Sequence, residues 1–480
     1  MSLSTSNLPL KQRIDKEVNN QVLRKNLIKA QNVIGTNRAK MMEELGHFEE
    51  WRDLCEQIRN HVIMNLDGYL NQLADKVEAN GGKVFFAQTA EEATAYIQKV
   101  AKEKNAKKVV KSKSMVTEEI GLNEALIEVG CKVLETDLGE YVLQIVNDRP
   151  SHIVVPAIHL SRTEIRQRLH DQLGYEGSET PEEMTAFIRK TIREDFLTAD
   201  IGISGCNFAI PESGTLCLVT NEGNLRMATT TPKTHIAVMG MDRMAPDFEN
   251  ADPLLTLLPR SAVGSRLTSY NTWLTGPRLA GEIDGPEEFH LVIVDNGRSD
   301  LLASEFNEML RCIRCGACMN ICPAYRQIGG HGYGSIYPGP MGAVLTPILG
   351  GYKDYHELPN ICSLCTACDS VCPVKIPLSS LILKHRSNIA KQGYGKLSEK
   401  MAIKGFNFVN NHPMLWDGLV RTGNKFLNNL SHEDNSPLGL FNHGMVAEWT
   451  KSRDLPRNEH QESFRSWFKK HKENLKNDAK

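Results

Sequence analysis

The sequence predicts a largely parallel α/β domain followed by a smaller helical domain rich in cysteine. Three observations carry that expectation. Between about residues 50 and 298, short β-rich runs alternate with helix-like segments, the pattern of a central parallel sheet with helical crossovers. From about residue 300 the alternation stops. Beyond that point, eight of the 12 cysteines fall into two stretches of identical spacing, CIRCGACMNICP (312–323) and CSLCTACDSVCP (362–373).

The 480 residues suffice for two or three domains. We divide them into an N-terminal helical segment (1–49), the α/β domain (50–298), the cysteine-rich domain (299–395) and a C-terminal helical region with a basic tail (396–480). Residues 54–80 carry apolar side chains at helical spacing and stop at Gly81-Gly82, a helix end. VFFA (84–87), KKVVK (107–111) and CKVLET (131–136) read as strands, with helices expected over 89–105 and 117–130. SHIVVPA (151–157) reads as a further strand, and two helices are expected within 161–195. ADIGISG, GTLCLVT, HIAVMG and HLVIVD complete the strands, the last ending near Asp295. Helix-like residues 299–310 then lead into the first cysteine stretch. A Gly/Pro/Tyr-rich insert (329–352) separates it from the second, and a helix follows Pro377.

Composition narrows the function classes. With 56 Lys+Arg against 58 Asp+Glu the formal charge is −2, so nothing favours a nucleic-acid partner. The polar start lacks the apolar core of a signal peptide, and no run approaches the roughly 18 apolar residues that read as a membrane span. A cytoplasmic chain is the expectation, with its thiols reduced. Cys55, Cys131, Cys206 and Cys217 then read as small packing residues. Near the C-terminus, Phe464, Trp467 and Phe468 share a helical face among lysines. That face reads as a helix docked on the protein or a frayed tail, or else as a peripheral docking surface for a partner or an anionic membrane.

The cysteine stretches carry the most specific chemistry. Each reads Cys-x2-Cys-x2-Cys-x3-Cys-Pro, with ligands Cys312, Cys315, Cys318 and Cys322 in the first and Cys362, Cys365, Cys368 and Cys372 in the second. This is the bacterial ferredoxin run for [4Fe–4S] clusters, in which the fourth cysteine ligates the other cluster. Cluster 1 therefore takes Cys312, Cys315, Cys318 and Cys372, and cluster 2 takes Cys362, Cys365, Cys368 and Cys322. Structural zinc would leave the third and fourth thiols of each stretch unexplained. With eight cysteine ligands every iron is already bound, which suits one-electron transfer rather than substrate activation at an open iron.

Candidates in the α/β half are less specific. KSKSMVTEEIG (111–121) places lysines and hydroxyls between a strand and a helix, where Ser114 or Thr117 would cap the helix or the group would hold an anion. Glu212, in a Pro-Glu-Ser-Gly turn, is a candidate catalytic carboxylate or simply a turn residue. Asn221-Glu222-Gly223-Asn224 follows. His159 and His235 stand isolated in sequence, and no P-loop, HExxH or strand-linked GxGxxG is present.

Taken together, KSKSMVTEEIGLNEAL, ETDLGEYVLQ, PSHIVVPAIH, ADIGISGCNFAIPESG, NEGN and the twin cysteine runs, in this order, resemble the lactate utilization protein B family. The resemblance implies a LUD domain with a NagB/RpiA/CoA-transferase-like fold, followed by a ferredoxin-type domain with two [4Fe–4S] clusters. It implies an electron-transfer component of a multi-subunit L-lactate-oxidising complex, yielding pyruvate and working with lactate utilization proteins A and C. The insert GGHGYGSIYPGPMGAVLTP also resembles that of glycolate-oxidase-type iron–sulfur subunits. The alternative is that the LUD-like domain itself binds or transforms a hydroxy acid or acyl substrate.

Overall fold

Nine strands form two sheets: β1 (Lys83–Ala87), β2 (Lys108–Lys111), β3 (Lys132–Glu135), β4 (Ile201–Ser204), β5 (Phe208–Ile210), β6 (Thr215–Thr220), β7 (Thr234–Gly240), β8 (Tyr270–Leu274) and β9 (Glu288–Val294). The larger sheet is wholly parallel, in the order β1-β9-β7-β4-β2-β3. Strands β4 and β7 are buried along their full length, which is why they read as unbroken apolar runs rather than alternating ones. Their side chains still divide between two faces. Ile203, Val238 and Val292 pack with Ile97, Leu122 and Leu126 of the crossover helices. Ala237, Met239, Leu291 and Ile293 pack with Leu66, Leu73 and Val77 on the other side.

The computed structural model describes residues 3–395, 397–430 and 464–478, with the single positions 443, 447 and 450. Residues Met1–Tyr394 make one compact unit and Gly395–Lys480 a second. Within the first, one apolar cluster joins Leu23, Leu27 and Ile58 of the N-terminal helices, Phe208 of β5, Leu254 of the helix Phe248–Ala262, and Met309, Tyr325 and Leu381 of the cysteine-rich region. Among the described residues of the second unit, the helices Leu397–Asn410 and Pro413–Leu430 meet through Phe406 and Trp416, edge to face at 5.8 Å. Phe464, Trp467 and Phe468 are exposed on the helix Phe464–Asp478. The rest of the expected C-terminal region, including 431–442 and 451–463, lies outside the described residues. No helix among the described residues is long and apolar enough to cross a membrane.

Several expected elements differ. The expected helix 54–80 breaks at Asn65 into Phe48–Met64 and Leu66–Ala79. That over 117–130 breaks at Gly121, which adopts φ 64, into Met115–Glu119 and Leu122–Glu128. GTLCLVT forms β6, but in the separate antiparallel sheet β5-β6-β8. The stretch 299–310 holds a short helix, Arg298–Leu302, and a 3-10 turn, Asn307–Arg311.

The main correction is SHIVVPA, which is not a strand. The His152 ring accepts hydrogen bonds from the amides of Val154 (3.0 Å) and Val155 (3.1 Å), and the Ser151 amide turns back onto Pro156 O at 2.9 Å. The donors that a ladder would need are spent locally.

Candidate metal centre and adjoining cavity

The two cysteine stretches fold into matching loops. Each starts from a 3-10 turn, Asn307–Arg311 or Leu358–Ile361, and ends in a one-turn helix, Ala317–Ile321 or Ala367–Val371. Arg314 and Gly316 adopt φ 58 and 76, and their counterparts Leu364 and Thr366 adopt φ 56 and 63. A non-glycine residue held in this region costs on the order of 1 kcal/mol, yet three of these four are not glycine. The inverted backbone turns amides toward sulfur. Arg314 N lies 3.4 Å from Cys312 Sγ, and Leu364 N lies 3.3 Å from Cys362 Sγ. Tyr325 N and Ile376 N donate to Cys322 and Cys372 at 3.5 and 3.4 Å. The Tyr333 hydroxyl also bonds the Cys322 sulfur.

Charge couples Cys372 to Cys312 and Cys315, and Cys322 to Cys362 and Cys368, while Cys318 couples to Cys312 and Cys315 and also across to Cys368. A single tetrahedral zinc with bonds of about 2.3 Å would hold its sulfurs about 4 Å apart. Among the described residues, no three cysteine sulfurs come within 4.8 Å of one another. Burial pushes Cys315 up to about 12 and Cys372 up to about 11. Such thiols give up their protons only to a metal that takes the charge.

Arginines from outside the loops hold the backbone beside the cysteines. Arg243 donates to Cys312 O at 2.6 Å, Arg52 to Cys372 O at 2.8 Å, and Arg386 to Cys362 O. Arg59, fully buried, donates to Leu310 O at 2.8 Å and Arg311 O at 3.2 Å, and to Met244 O and Asp242 O at 2.5 Å each. These contacts rigidify the carbonyls and set positive charge near the place where thiolate charge collects, a known lever on cluster potential.

Against the first loop lies a cavity of about 320 Å³. All six strands of the large sheet run the same way, so the loops after β2, β4 and β7 gather at its carboxyl edge, where open α/β sheets place ligands. Those loops supply Ser112 and Lys113, Cys206 and Asn207, and Asp242 and Arg243, while Arg314, Cys315 and Tyr337 close the opposite side. Within the wall Arg298 forks onto Glu119 at 2.9 and 2.8 Å and holds Asp242 at 3.0 Å, and Tyr337 donates to Glu119 at 2.5 Å. Arg298 keeps the buried Glu119 and Asp242 below the usual carboxylate range despite burial. The corrected segment takes part here: Ile153 and Val154 line the cavity, and His152 reaches Asn320 of the first cysteine loop at 3.1 Å.

Of the stretches singled out in the sequence, residues 112–116 of the first and Asn221, Glu222 and Asn224 of the second line this cavity. Ser114 makes no side-chain cap, and Thr117 instead donates to Ser114 O at 2.8 Å and accepts from Lys111 Nζ at 3.1 Å. Lys111, fully buried, also pairs with Glu118 and Glu135 at 3.1 and 2.9 Å. Glu212 is exposed in the turn after β5 and lines no part of the cavity. His235 is buried against Ser204 at 2.8 Å, and burial drops it to about 3, a neutral packing residue. His159 is not isolated: its ring lies near Asp148 at 3.4 Å and packs edge to face on His331 at 4.6 Å. Cys55, Cys131 and Cys217 are buried, and Cys206 is partly so. Asp242, Arg243, Arg298 and Arg314 belong to no sequence motif for a ligand site. The signal was present, since Met241-Asp242-Arg243 and Asn296-Gly297-Arg298 follow apolar strands, but charged residues at those strand ends need the sheet order to be read as one site.

The LUD domain family model matches residues 70–294, and that of the 4Fe-4S dicluster domain matches residues 308–376. The chain is 62% identical to an uncharacterized electron transport protein, YkgF, from Escherichia coli, over 98% of both chains. It is 54% identical to lactate utilization protein B from Bacillus cytotoxicus and 52% identical to that from Bacillus pumilus, each over 98% of this chain and 99% of the relative. The eight cysteines and the dicluster match fit two [4Fe–4S] clusters.

Proposed function

The chain belongs to the lactate utilization protein B family, and from that premise we propose that it is the electron-relaying subunit of L-lactate oxidation to pyruvate. Two [4Fe–4S] clusters, when bound, supply reversible one-electron acceptance. Cys312, Cys315, Cys318 and Cys372 would hold the first, and Cys362, Cys365, Cys368 and Cys322 the second. The crossed spacing of the two stretches supports this assignment, together with the charge coupling of Cys372 to Cys312 and Cys315 and of Cys322 to Cys362 and Cys368.

Lactate gives up two electrons and two protons in becoming pyruvate, and two one-electron stations accept the electrons singly. The amides of Arg314, Leu364, Tyr325 and Ile376 stabilise negative charge on the sulfurs they face. The arginine contacts keep the loops from relaxing between charge states. Lactate utilization proteins A and C are the partners this reading names, in a cytoplasmic complex. Glu212, away from the cavity, has no part in it.

Purified protein should carry about eight irons and matching labile sulfide per chain. Its visible absorbance should bleach with lactate only when the partner proteins are added. Zinc in place of iron would sink the relay, and bleaching by lactate with this chain alone would make it the dehydrogenase itself.

A further inference from the structure

We propose that the cavity beside the first cysteine loop binds a small carboxylate bearing a hydroxyl or oxo oxygen on the adjacent carbon. The inference rests on the relay reading for the destination of the electrons, whereas binding needs the cavity alone.

The cations of the cavity wall fall into two kinds. Arg243 is spent on the carbonyls of Cys312, Ile313 and Asn207, and Arg298 on Glu119 and Asp242. Lys113 and Arg314 keep more of their donors unengaged. The Lys113 ammonium donates to Val154 O at 2.7 Å and makes no ion pair within contact distance among the described residues, although Asp137, Glu140 and Glu222 act on its charge from further off. The Arg314 guanidinium lies over the Tyr337 ring at 5.0 Å, and its hydrogen-bond contact is the weak acceptor Met341 Sδ at 3.3 Å. It too makes no ion pair among the described residues. A guanidinium offers a fork of donors that matches a carboxylate, and an ammonium adds a point charge beside it.

Two buried polar atoms in the same wall lack hydrogen-bond partners. They are Asp242 Oδ2, on a residue only 2% exposed, and Ser112 Oγ, on one 1% exposed. Buried polar groups normally find a partner. An acceptor and a hydroxyl together suit a substituent that is a hydroxyl in one redox state and an oxo group in the other. Ile153, Val154 and Leu258 add an apolar surface for a short carbon chain. The volume is at the lower end of ligand-binding clefts, which fits a short acid with water around it. Cys315 also lines the cavity, so a ligand here abuts the first cysteine loop and not the second.

The test is calorimetric titration of the full-length, cluster-loaded protein with pyruvate, with L-lactate and with propionate, which lacks the second oxygen. Pyruvate or lactate should bind saturably, and propionate about tenfold more weakly or worse. Lys113→Gln and Arg314→Gln should each weaken binding by about tenfold or more, with iron content unchanged for Lys113→Gln, which lies outside the cysteine loops. The ligand should also shift the paramagnetic resonance of one reduced cluster and leave the other alone. No saturable binding of either acid, or binding unaltered by Lys113→Gln, overturns the proposal and leaves the relay standing. Tight binding by a protein that carries no iron overturns the relay and leaves the proposal standing.

Discussion

The loops at 312–318 and 362–368 share a spacing, a set of left-handed residues and an amide-to-sulfur contact, but not an environment. Cys315 is 8% exposed and Gly316 and Ala317 are buried, because the sheet's carboxyl edge, the segment around His152 and the insert helix Gly339–Gly350 enclose the first loop. Cys365 and Thr366, the corresponding residues, are exposed. Spacing thus dictates how a loop can hold a cluster, while the surroundings dictate what that cluster can meet. The first loop meets a cavity lined by buried charges. The second meets solvent, so the two loops of the repeat face different surroundings.

The largest expected effect comes from breaking the crossing between the loops. Cys372→Ser removes a residue of the second stretch, but it should empty the site around 312–318, lowering iron from about eight to about four per chain. Metal analysis and resonance spectra read this directly. Loss of the signal belonging to 362–368 instead would mean that each loop keeps its own fourth ligand.

A smaller change sharpens the contrast. The Tyr333 hydroxyl bonds Cys322, which the crossing assigns to the second cluster. Tyr333→Phe removes a donor that stabilises the more negative, reduced state. With about 1 kcal/mol in such a bond, the potential of that cluster should fall by a few tens of millivolts in a redox titration, with the other cluster unmoved.

The smallest effect belongs to the cavity rim. Glu222 stands at the mouth of the cavity, and desolvation together with nearby Asp137 pushes its carboxyl up to about 7. It is uncharged below that pH and negative above it, so carboxylate binding should weaken as pH rises through about 7, by about threefold for a rim charge. Glu222→Gln should flatten that dependence in titrations across the range, and a slope that survives the substitution would assign it to another group.

The parts legible in the sequence are those where one stretch carries the whole signal. The cysteine runs state their chemistry in twelve residues each, and IGIS, HIAVMG and HLVIV announce buried parallel strands by their unbroken apolar character. SHIVVPA misled because an apolar run says nothing about where its amides go, and His152 takes two of them. Asp242, Arg243 and Arg298 were illegible for another reason. Each is an ordinary charged residue at a strand end, and only the order of the sheet, which brings the ends of β7 and β9 beside β2 and β4, makes them neighbours.

Arg59 bears on how freely these parts can be recombined. Its guanidinium is divided between carbonyls at 242 and 244 on one side and at 310 and 311 on the other. A gene split near 298, or a graft of the cysteine segment onto a foreign sheet, would strand a buried cation with half its partners. Removing the partners of a buried charge costs several kcal/mol, a large share of the stability of an ordinary domain. The seam between the two family matches is therefore not a boundary of folding, and a hybrid built across it would have to carry Arg59 and the turn after β7 along with the cysteines.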